Sequence, residues 1–134
     1  MTKQEVFDKV ATHLLKQGEK AEYSTEFGEP ICAYRTSEGL KCAVGCLIPD
    51  DLYEERLENL PAAAFVLPRG EHMDRFNDAS VALEVGKKIG LTSEHMSILG
   101  SLQNIHDVYI TKNWRTVLQE LAENYNLDAG VCDA

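Results

Sequence analysis

The sequence predicts an α+β fold in which a small antiparallel β-hairpin packs against four to five α-helices in a single domain. Three features predict this class. Apolar residues recur at helical spacing near both ends of the chain, β-rich segments flank Gly39, and 134 residues are enough for one hydrophobic core. Residues 1–127 are expected to form the domain, and residues 128–134 are expected to be a flexible C-terminal tail.

The first helix is predicted over residues 3–17. Thr2 and Glu5 have the spacing of a capping box, in which each side chain bonds the backbone amide of the other residue. Gly18 follows at the position where a left-handed residue commonly ends a helix. The apolar residues behind the cap fall on one helical face, which we expect to be buried: Phe7, Val10, Ala11 and Leu14.

The β-hairpin is predicted from two β-rich runs, residues 31–36 and 41–48, which are joined by a turn at Gly39. Residues 18–30 contain two glycines and a proline, and this composition indicates a polar loop. After the hairpin, a proline followed by two aspartates predicts a short helix over about residues 49–58, because both residue types favour a helix N-terminus.

The second half of the chain is predicted to be helical. One helix ends at Gly90, Thr92 can cap the next one, and a third helix ends the domain. The last helix has the clearest amphipathic stripe in the sequence: Trp114, Val117, Leu118, Leu121 and Tyr125. Residues 110–113 form a short link, which predicts that the last two helices pack as an antiparallel pair.

Charge and composition restrict the partners and the compartment. The chain has 13 basic and 22 acidic residues and a formal net charge of −9. This balance argues against non-specific nucleic-acid binding, which needs clustered Lys and Arg. The apolar runs are too short to span a membrane, and the first residues lack the pattern of a signal peptide. We therefore expect a cytoplasmic protein with reduced thiols that binds neither nucleic acid nor membrane.

Three of the four cysteines, Cys32, Cys42 and Cys46, could bind a metal, take part in catalysis or fill the core. Zinc holds its sulfur ligands roughly 4 Å apart. On a strand, Cys42 and Cys46 would instead lie about 13 Å apart, at about 3.3 Å per residue. The spacing therefore favours small buried residues, and we predict no metal and no cofactor.

A catalytic cysteine would require a base that removes its proton. His106, followed by Asp107, lies late on a predicted helix and flanks its apolar face. That position is more typical of a hydrogen-bonded structural histidine. The chain also lacks a phosphate-binding glycine loop and the common hydrolase motifs. We therefore predict no catalytic residue and expect that the protein is not an enzyme.

A larger pattern resembles a known family. Cys32-Ala-Tyr-Arg35, the segment Gly39–Tyr53 with Leu-Lys-Cys-Ala-Val-Gly-Cys-Leu-Ile-Pro-Asp, and Leu102–Asp107 resemble a family of small uncharacterised proteins of tailed bacteriophages and prophages. The similarity extends to Val10–Gln17 and Trp114–Leu127. The resemblance implies expression inside a bacterial host and action as an inhibitor or adaptor that binds a host protein, including components of defence systems. It implies no catalytic residue.

Three functions follow as hypotheses. The first is a protein that acts by protein–protein binding through acidic residues and the hairpin tip at residues 37–41. Its candidate partner-binding residues are Asp50, Asp51, Glu54, Glu55, Glu58 and Glu38. The second is a small-molecule-binding protein whose pocket lies between hairpin and helices, with Tyr34, Arg35 and His106 as polar groups. The third is a cysteine-dependent enzyme or a metal module.

Overall fold

A computed structural model describes residues 1–24, 26–58, 60–67 and 77–133. Within these ranges the chain forms four α-helices and one two-stranded antiparallel hairpin, which confirms the predicted α+β class. The elements in chain order are α1 (Lys3–Gln17), β1 (Glu22–Ser24), β2 (Pro30–Cys32), α2 (Asn77–Lys88), α3 (Met96–Val108) and α4 (Trp114–Asn124). Helices α1, α3 and α4 contact one another around the core.

Helix α1 begins and ends where the sequence predicts. The Glu5 amide donates to the Thr2 hydroxyl at 3.1 Å, and the Thr2 amide donates to the Glu5 carboxylate at 3.1 Å, which completes the capping box. Gly18 has φ +67° and ends the helix in the left-handed conformation. The apolar face is fully buried: Val6, Phe7, Val10, Ala11 and Leu14.

The hairpin is real, but its predicted position is wrong. β1 pairs with β2 so that Tyr23 lies opposite Ile31, and most of the hairpin therefore falls in residues 18–30, the segment predicted to be a loop. Of the predicted hairpin, residues 31–36 with 41–48, there remains a single bridge between Arg35 and Lys41. The turn at Gly39 does form, with φ +88°, but it joins two irregular segments.

Residues 41–48 do not form a strand, because consecutive residues of this segment are buried in the core. Cys42, Ala43, Val44 and Gly45 are buried in succession, whereas a half-exposed strand would alternate. The Cys46 amide bonds the Cys42 carbonyl at 3.0 Å, and a 3₁₀-helix follows over Gly45–Leu47. The two cysteines are thus one helical turn apart, and the separation expected for a strand is wrong.

Gly45 permits this path. A Cβ atom at Gly45 would lie 1.9 Å from the backbone oxygen of Tyr34, so only glycine allows the two segments to approach this closely.

The short helix predicted over residues 49–58 is also wrong as a continuous element. The Pro49 carbonyl accepts hydrogen bonds from Leu52 and Tyr53, which closes one turn. Glu54 is then extended, and a 3₁₀-helix covers Glu55–Leu57. This segment is held by side-chain contacts that cannot be read from the sequence alone.

The C-terminal half is helical, as predicted. The Thr92 hydroxyl accepts from the Glu94 amide at the start of a 3₁₀-turn that leads into α3, and α4 begins at the fully buried Trp114. The segment predicted as a flexible tail, residues 128–134, packs against α1 over its described part. Its 3₁₀-helix Gly130–Asp133 buries Cys132, and the Gln4 side chain bonds both the amide and the carbonyl of Asp128 at 2.8 and 2.9 Å.

Candidate functional site

Arg35, one of the predicted ligand-binding residues, supports the turn that follows residue 48. Its guanidinium pairs with Asp50 at 2.9 Å, donates to the Ile48 carbonyl at 3.0 Å and lies 4.4 Å from the ring centre of Tyr53. A carboxylate and an aromatic face both stabilise a guanidinium. Arg35 therefore contacts the protein's own turn and does not line the pocket described below.

The acidic residues predicted as a partner-binding surface divide into two groups. Three of them bind other side chains or amides of the chain: Asp50, Glu54 and Glu58. The other three are Asp51, Glu55 and Glu38, and all of the six except Glu58 are exposed. The structure brings the acidic stretch and the predicted hairpin tip together, because Oδ1 of Asp50 lies 3.8 Å from the ammonium of Lys41.

Glu58 organises the neighbouring segment. Its carboxylate accepts hydrogen bonds from the amides of Tyr34 and Arg35 at 2.9 and 3.2 Å, and from the Tyr53 hydroxyl at 2.5 Å. The Tyr34 hydroxyl donates to the Leu60 carbonyl, and burial raises the pKa of Tyr34, so this side chain stays a neutral phenol. Glu58 thus ties the chain after β2 to Tyr53, and Tyr34 ties it to Leu60.

Cys32, His106 and Asp107 form a compact cluster. The thiol sulfur, an imidazole nitrogen and a carboxylate oxygen lie within 4.8 Å of one another. Oδ1 of Asp107 lies 2.7 Å from Nδ1 of His106 and accepts from the Gln103 amide at 2.8 Å, and the Cys32 thiol donates to the same carboxylate. The adjacency of His106 and Asp107 is visible in the sequence. Their contact with Cys32 is not, because it depends on how β2 docks against α3.

The second ring nitrogen of His106 determines its chemistry. Nε2 accepts a hydrogen bond from the Ala21 amide at 2.9 Å, and a backbone amide can only donate. Nε2 therefore carries no proton, and the proton of the neutral ring is on Nδ1, which donates it to Asp107. His106 is fully buried. It cannot act as the base for Cys32, because one nitrogen is protonated and the other is covered by the amide.

The protonation states within the cluster are the reverse of those in an activated cysteine site. Burial, the hydrogen bond to Asp107 and its negative charge raise the pKa of Cys32 to about 12. Burial alone would raise the pKa of Asp107, but hydrogen bonds from His106, Gln103 and Cys32 lower it. At neutral pH Cys32 is thus a thiol and Asp107 a carboxylate. The cluster has the composition of a Cys–His–Asp triad but not its connectivity.

The same geometry disfavours a metal ion, although these three residues are ones that could hold it. A metal on Nδ1 of His106 would leave the ring proton on Nε2, where it would face the Ala21 amide with donor against donor. The ion would also require the Cys32 thiolate. The hydrogen bond between Ala21 and His106 therefore opposes metal binding directly.

Cys42 and Cys46, the other candidates for a metal, use their sulfurs locally. The Cys42 sulfur accepts from the Gly45 amide at 3.3 Å, and the Cys46 thiol donates to the Ala43 carbonyl at 3.1 Å. Burial raises the pKa of each thiol to about 12. Both side chains behave as small neutral core residues.

A pocket of about 470 Å³ lies between β2, residues 60–62 and α3. Its polar wall is formed by four side chains: Tyr34, Glu58, Gln103 and Asp107. Apolar side chains form much of the remainder, including Ile31, Ala33 and Leu60. Of the predicted ligand-binding residues, Tyr34 lines this pocket, whereas Arg35 and His106 do not.

The hairpin exposes a second surface, which the sequence did not single out. Tyr23, Phe27 and Ile31, the hairpin apolar surface, are 45%, 84% and 38% exposed. Tyr23 and Ile31 lie opposite each other in the register and so share one face of the hairpin, and Phe27 lies in its turn. Ile31 also lines the pocket, so the two features adjoin. The pairing was not predicted, because residues 18–30 were expected to form a loop.

The fold and the site together define a small α+β domain with a Cys–His–Asp cluster around the buried His106, a pocket beside it and an exposed hairpin. The chain matches no protein-family model, no curated protein and no solved structure. None of the helices in the described residues combines the length and apolar character needed to cross a membrane.

Proposed function

We propose that the protein acts by protein–protein binding and not as an enzyme, and that it binds through the hairpin apolar surface. The observation that carries this proposal is the exposure of Phe27, Tyr23 and Ile31 on one small hairpin. Aromatic side chains dominate the energetics of protein interfaces because each one removes a large apolar area from water. The outer edges of a two-stranded hairpin also offer backbone groups to a partner strand.

Charge indicates the kind of partner. Three glutamates lie on the same hairpin, Glu22, Glu26 and Glu29, and the chain has a net charge of −9. Two copies that met through this hairpin would place like charges together, which opposes self-association. A partner with a basic surface complements it. The resemblance to phage and prophage proteins supports a bacterial host protein as this partner, and inhibition of its function as the outcome.

The test uses the full-length protein with a photo-crosslinking residue in place of Phe27. Irradiation in a bacterial host should crosslink one specific host protein to position 27. The dissociation constants of its complexes with the wild type and the variants are then measured. Replacing Tyr23 and Phe27 by Ser should weaken binding at least roughly 30-fold, the effect of losing an interface hot spot. Asp51→Lys with Glu55→Lys is the matched control on the predicted acidic surface.

Two outcomes would refute this surface. If the acidic double variant abolishes binding and the hairpin variant does not, the interface lies on the acidic stretch. If the crosslinked protein shows no saturable binding to the wild type, the hairpin has no specific partner. Circular dichroism must first show that both variants are folded.

A second candidate function, binding of a small molecule, is favoured by the pocket beside Asp107. Its volume of about 470 Å³ falls in the range of ligand sites, and Tyr34 lines it as the second hypothesis expects. Mass spectrometry of compounds extracted from the purified, folded protein tests this function. Ala62→Leu narrows the pocket. If the wild-type protein retains a compound and this variant does not, the result would support small-molecule binding.

A further inference from the structure

We propose that the pocket beside Asp107 binds a cationic group on an alkyl stem, and that in the complex this group is an Arg or Lys side chain of the partner. The chemistry of the ligand follows from the pocket alone. Its source in a partner protein rests on the proposed function.

The charge of the wall is the first argument. Two carboxylates, Glu58 and Asp107, line the pocket, and no Lys, Arg or His is among its described lining residues. A concave, partly apolar site of one charge sign concentrates the field and attracts ions of the opposite sign. It also repels anions, so phosphorylated and carboxylated ligands are disfavoured.

The second argument is that neither carboxylate is neutralised by a described side chain. Within the described part of the chain, Glu58 accepts from two amides and the Tyr53 hydroxyl. Asp107 accepts from Gln103, from the Cys32 thiol and from His106, which the Ala21 amide holds neutral. Among the described contacts, the nearby cations do not bond either carboxylate: the Arg35 guanidinium pairs with Asp50, and the Lys20 ammonium donates to the backbone carbonyl of Asp107 at 3.2 Å.

Each carboxylate also retains the capacity to accept a further bond. An ionised carboxylate offers about four acceptor positions, and the described donors to Glu58 and to Asp107 number three each. A guanidinium or ammonium entering the pocket would meet acceptors that are already held in place. Such charge-assisted bonds are stronger than those between neutral groups.

The apolar wall suits the stem of the same side chain. Ile31, Ala33 and Leu60 lie beside the carboxylates, and the methylene groups of Arg and Lys pack readily on such surfaces. Because Ile31 belongs to both the pocket and the hairpin apolar surface, one partner can cover the hairpin and insert a basic side chain into the pocket at the same time.

The experiment uses the full-length protein and three small probes: butylguanidinium, butylammonium and the neutral butyramide. Binding is followed by amide chemical shifts in two-dimensional NMR spectra. The two cations should bind saturably and shift residues around the pocket, and butyramide should not. Asp107→Asn should weaken cation binding at least tenfold, whereas Asp51→Asn, at an exposed residue that does not line the pocket, should leave it unchanged. Equal shifts from butyramide would overturn the proposal.

Asp107→Asn also removes the acceptor of Cys32 and His106, so a second variant is needed. Ala62→Leu should narrow the pocket while both carboxylates are retained, and it should abolish cation binding even if Asp107→Asn fails to fold. Retention of cation binding by a folded Ala62→Leu protein would overturn the site.

The source of the cation is tested with the crosslinked partner. Ala62→Leu should weaken partner binding at least tenfold, and one Arg→Ala or Lys→Ala variant of the partner should match that loss. If Ala62→Leu leaves partner binding unchanged while the wild-type protein binds butylguanidinium, the occupant of the pocket is not a side chain of the partner. The pocket would then bind a free cation. If replacing Tyr23 and Phe27 by Ser does not weaken partner binding, but the pocket still binds the cationic probes, only the proposed function is refuted.

Discussion

The backbone amide of Ala21 donates a hydrogen bond to Nε2 of His106 at 2.9 Å, across 85 positions of the chain. This contact holds the imidazole neutral, places its proton on Nδ1 and directs that proton to Asp107. A cysteine, a histidine and a carboxylate in one cluster would suggest catalysis, but the hydrogen bond from Ala21 makes His106 a connector between the start of the hairpin and the end of α3.

Removing this connector should destabilise the fold. In His106→Leu the side-chain volume is similar, but the Ala21 amide loses its buried acceptor, which costs about 1–3 kcal/mol. Urea denaturation measures the loss. His13→Leu, at a half-buried histidine, is the control and should cost less. A change below about 0.5 kcal/mol in His106→Leu would show that the amide finds another acceptor.

Removal of metal ions should have no effect on stability. A structural zinc contributes on the order of 10 kcal/mol, which would be most of the stability of a domain. Because a metal on His106 would turn a proton towards the Ala21 amide, we expect the same melting temperature before and after EDTA. Stoichiometric zinc in the purified protein, with a lower melting temperature after chelation, would contradict the hydrogen-bond assignment.

Trp114 should contribute strongly to the core. Its side chain is fully buried, its indole donates to the Tyr109 carbonyl at 3.1 Å, and its ring lies 5.7 Å from that of His106. Trp114→Ala should lower the free energy of unfolding by about 3–5 kcal/mol, and Trp114→Phe by less, because a smaller cavity remains. Equal costs for the two variants in urea denaturation would show that the cavity is not the cause.

Two glycines should respond to the same substitution in opposite directions. A Cβ at Gly45 would lie 1.9 Å from the Tyr34 carbonyl oxygen, whereas a Cβ at Gly100, exposed on α3, meets nothing within 4 Å. Gly45→Ala should cost about 3 kcal/mol or more through overpacking. Gly100→Ala should stabilise by about 0.5–1 kcal/mol, the helix propensity difference. Thermal denaturation of both variants tests the pair, and a tolerated Gly45→Ala would contradict the close approach.

The stability should fall in mild acid because of His13. Burial lowers the pKa of His13 below its usual 6.5, although the hydrogen bond from Nε2 to the Lys41 carbonyl at 2.8 Å opposes this effect. The unfolded chain therefore binds more protons as pH falls below about 6.5, and this difference destabilises the folded state.

His13→Gln retains an N–H donor without a titrating group, so its stability should decline less than that of the wild type between about pH 7 and pH 5. Urea denaturation at several pH values gives both slopes. Equal slopes, or a wild type that gains stability on acidification, would contradict the lowered pKa.

Local features were predictable where neighbouring residues decide the outcome. The capping box of Thr2 and Glu5, the left-handed Gly18 and the turn at Gly39 depend on residues within a few positions of one another. The amphipathic stripe that begins at Trp114 likewise marks its own buried face. Strand position was not predictable, because residues 41–48 are apolar enough for a strand or for an irregular core segment.

The sequence by itself determined the α+β class, the bounds of α1 and much of the composition of the core, because helix periodicity and capping are local. Only the tertiary structure decided which segments pair as the hairpin, since strand partners are chosen by what they bury. The tertiary structure also determined the role of His106. That role depends on the amide of Ala21, which lies 85 positions away in the sequence, so no local pattern could predict it. The pocket between Glu58 and Asp107 arises in the same way, because packing alone brings those two carboxylates to one wall.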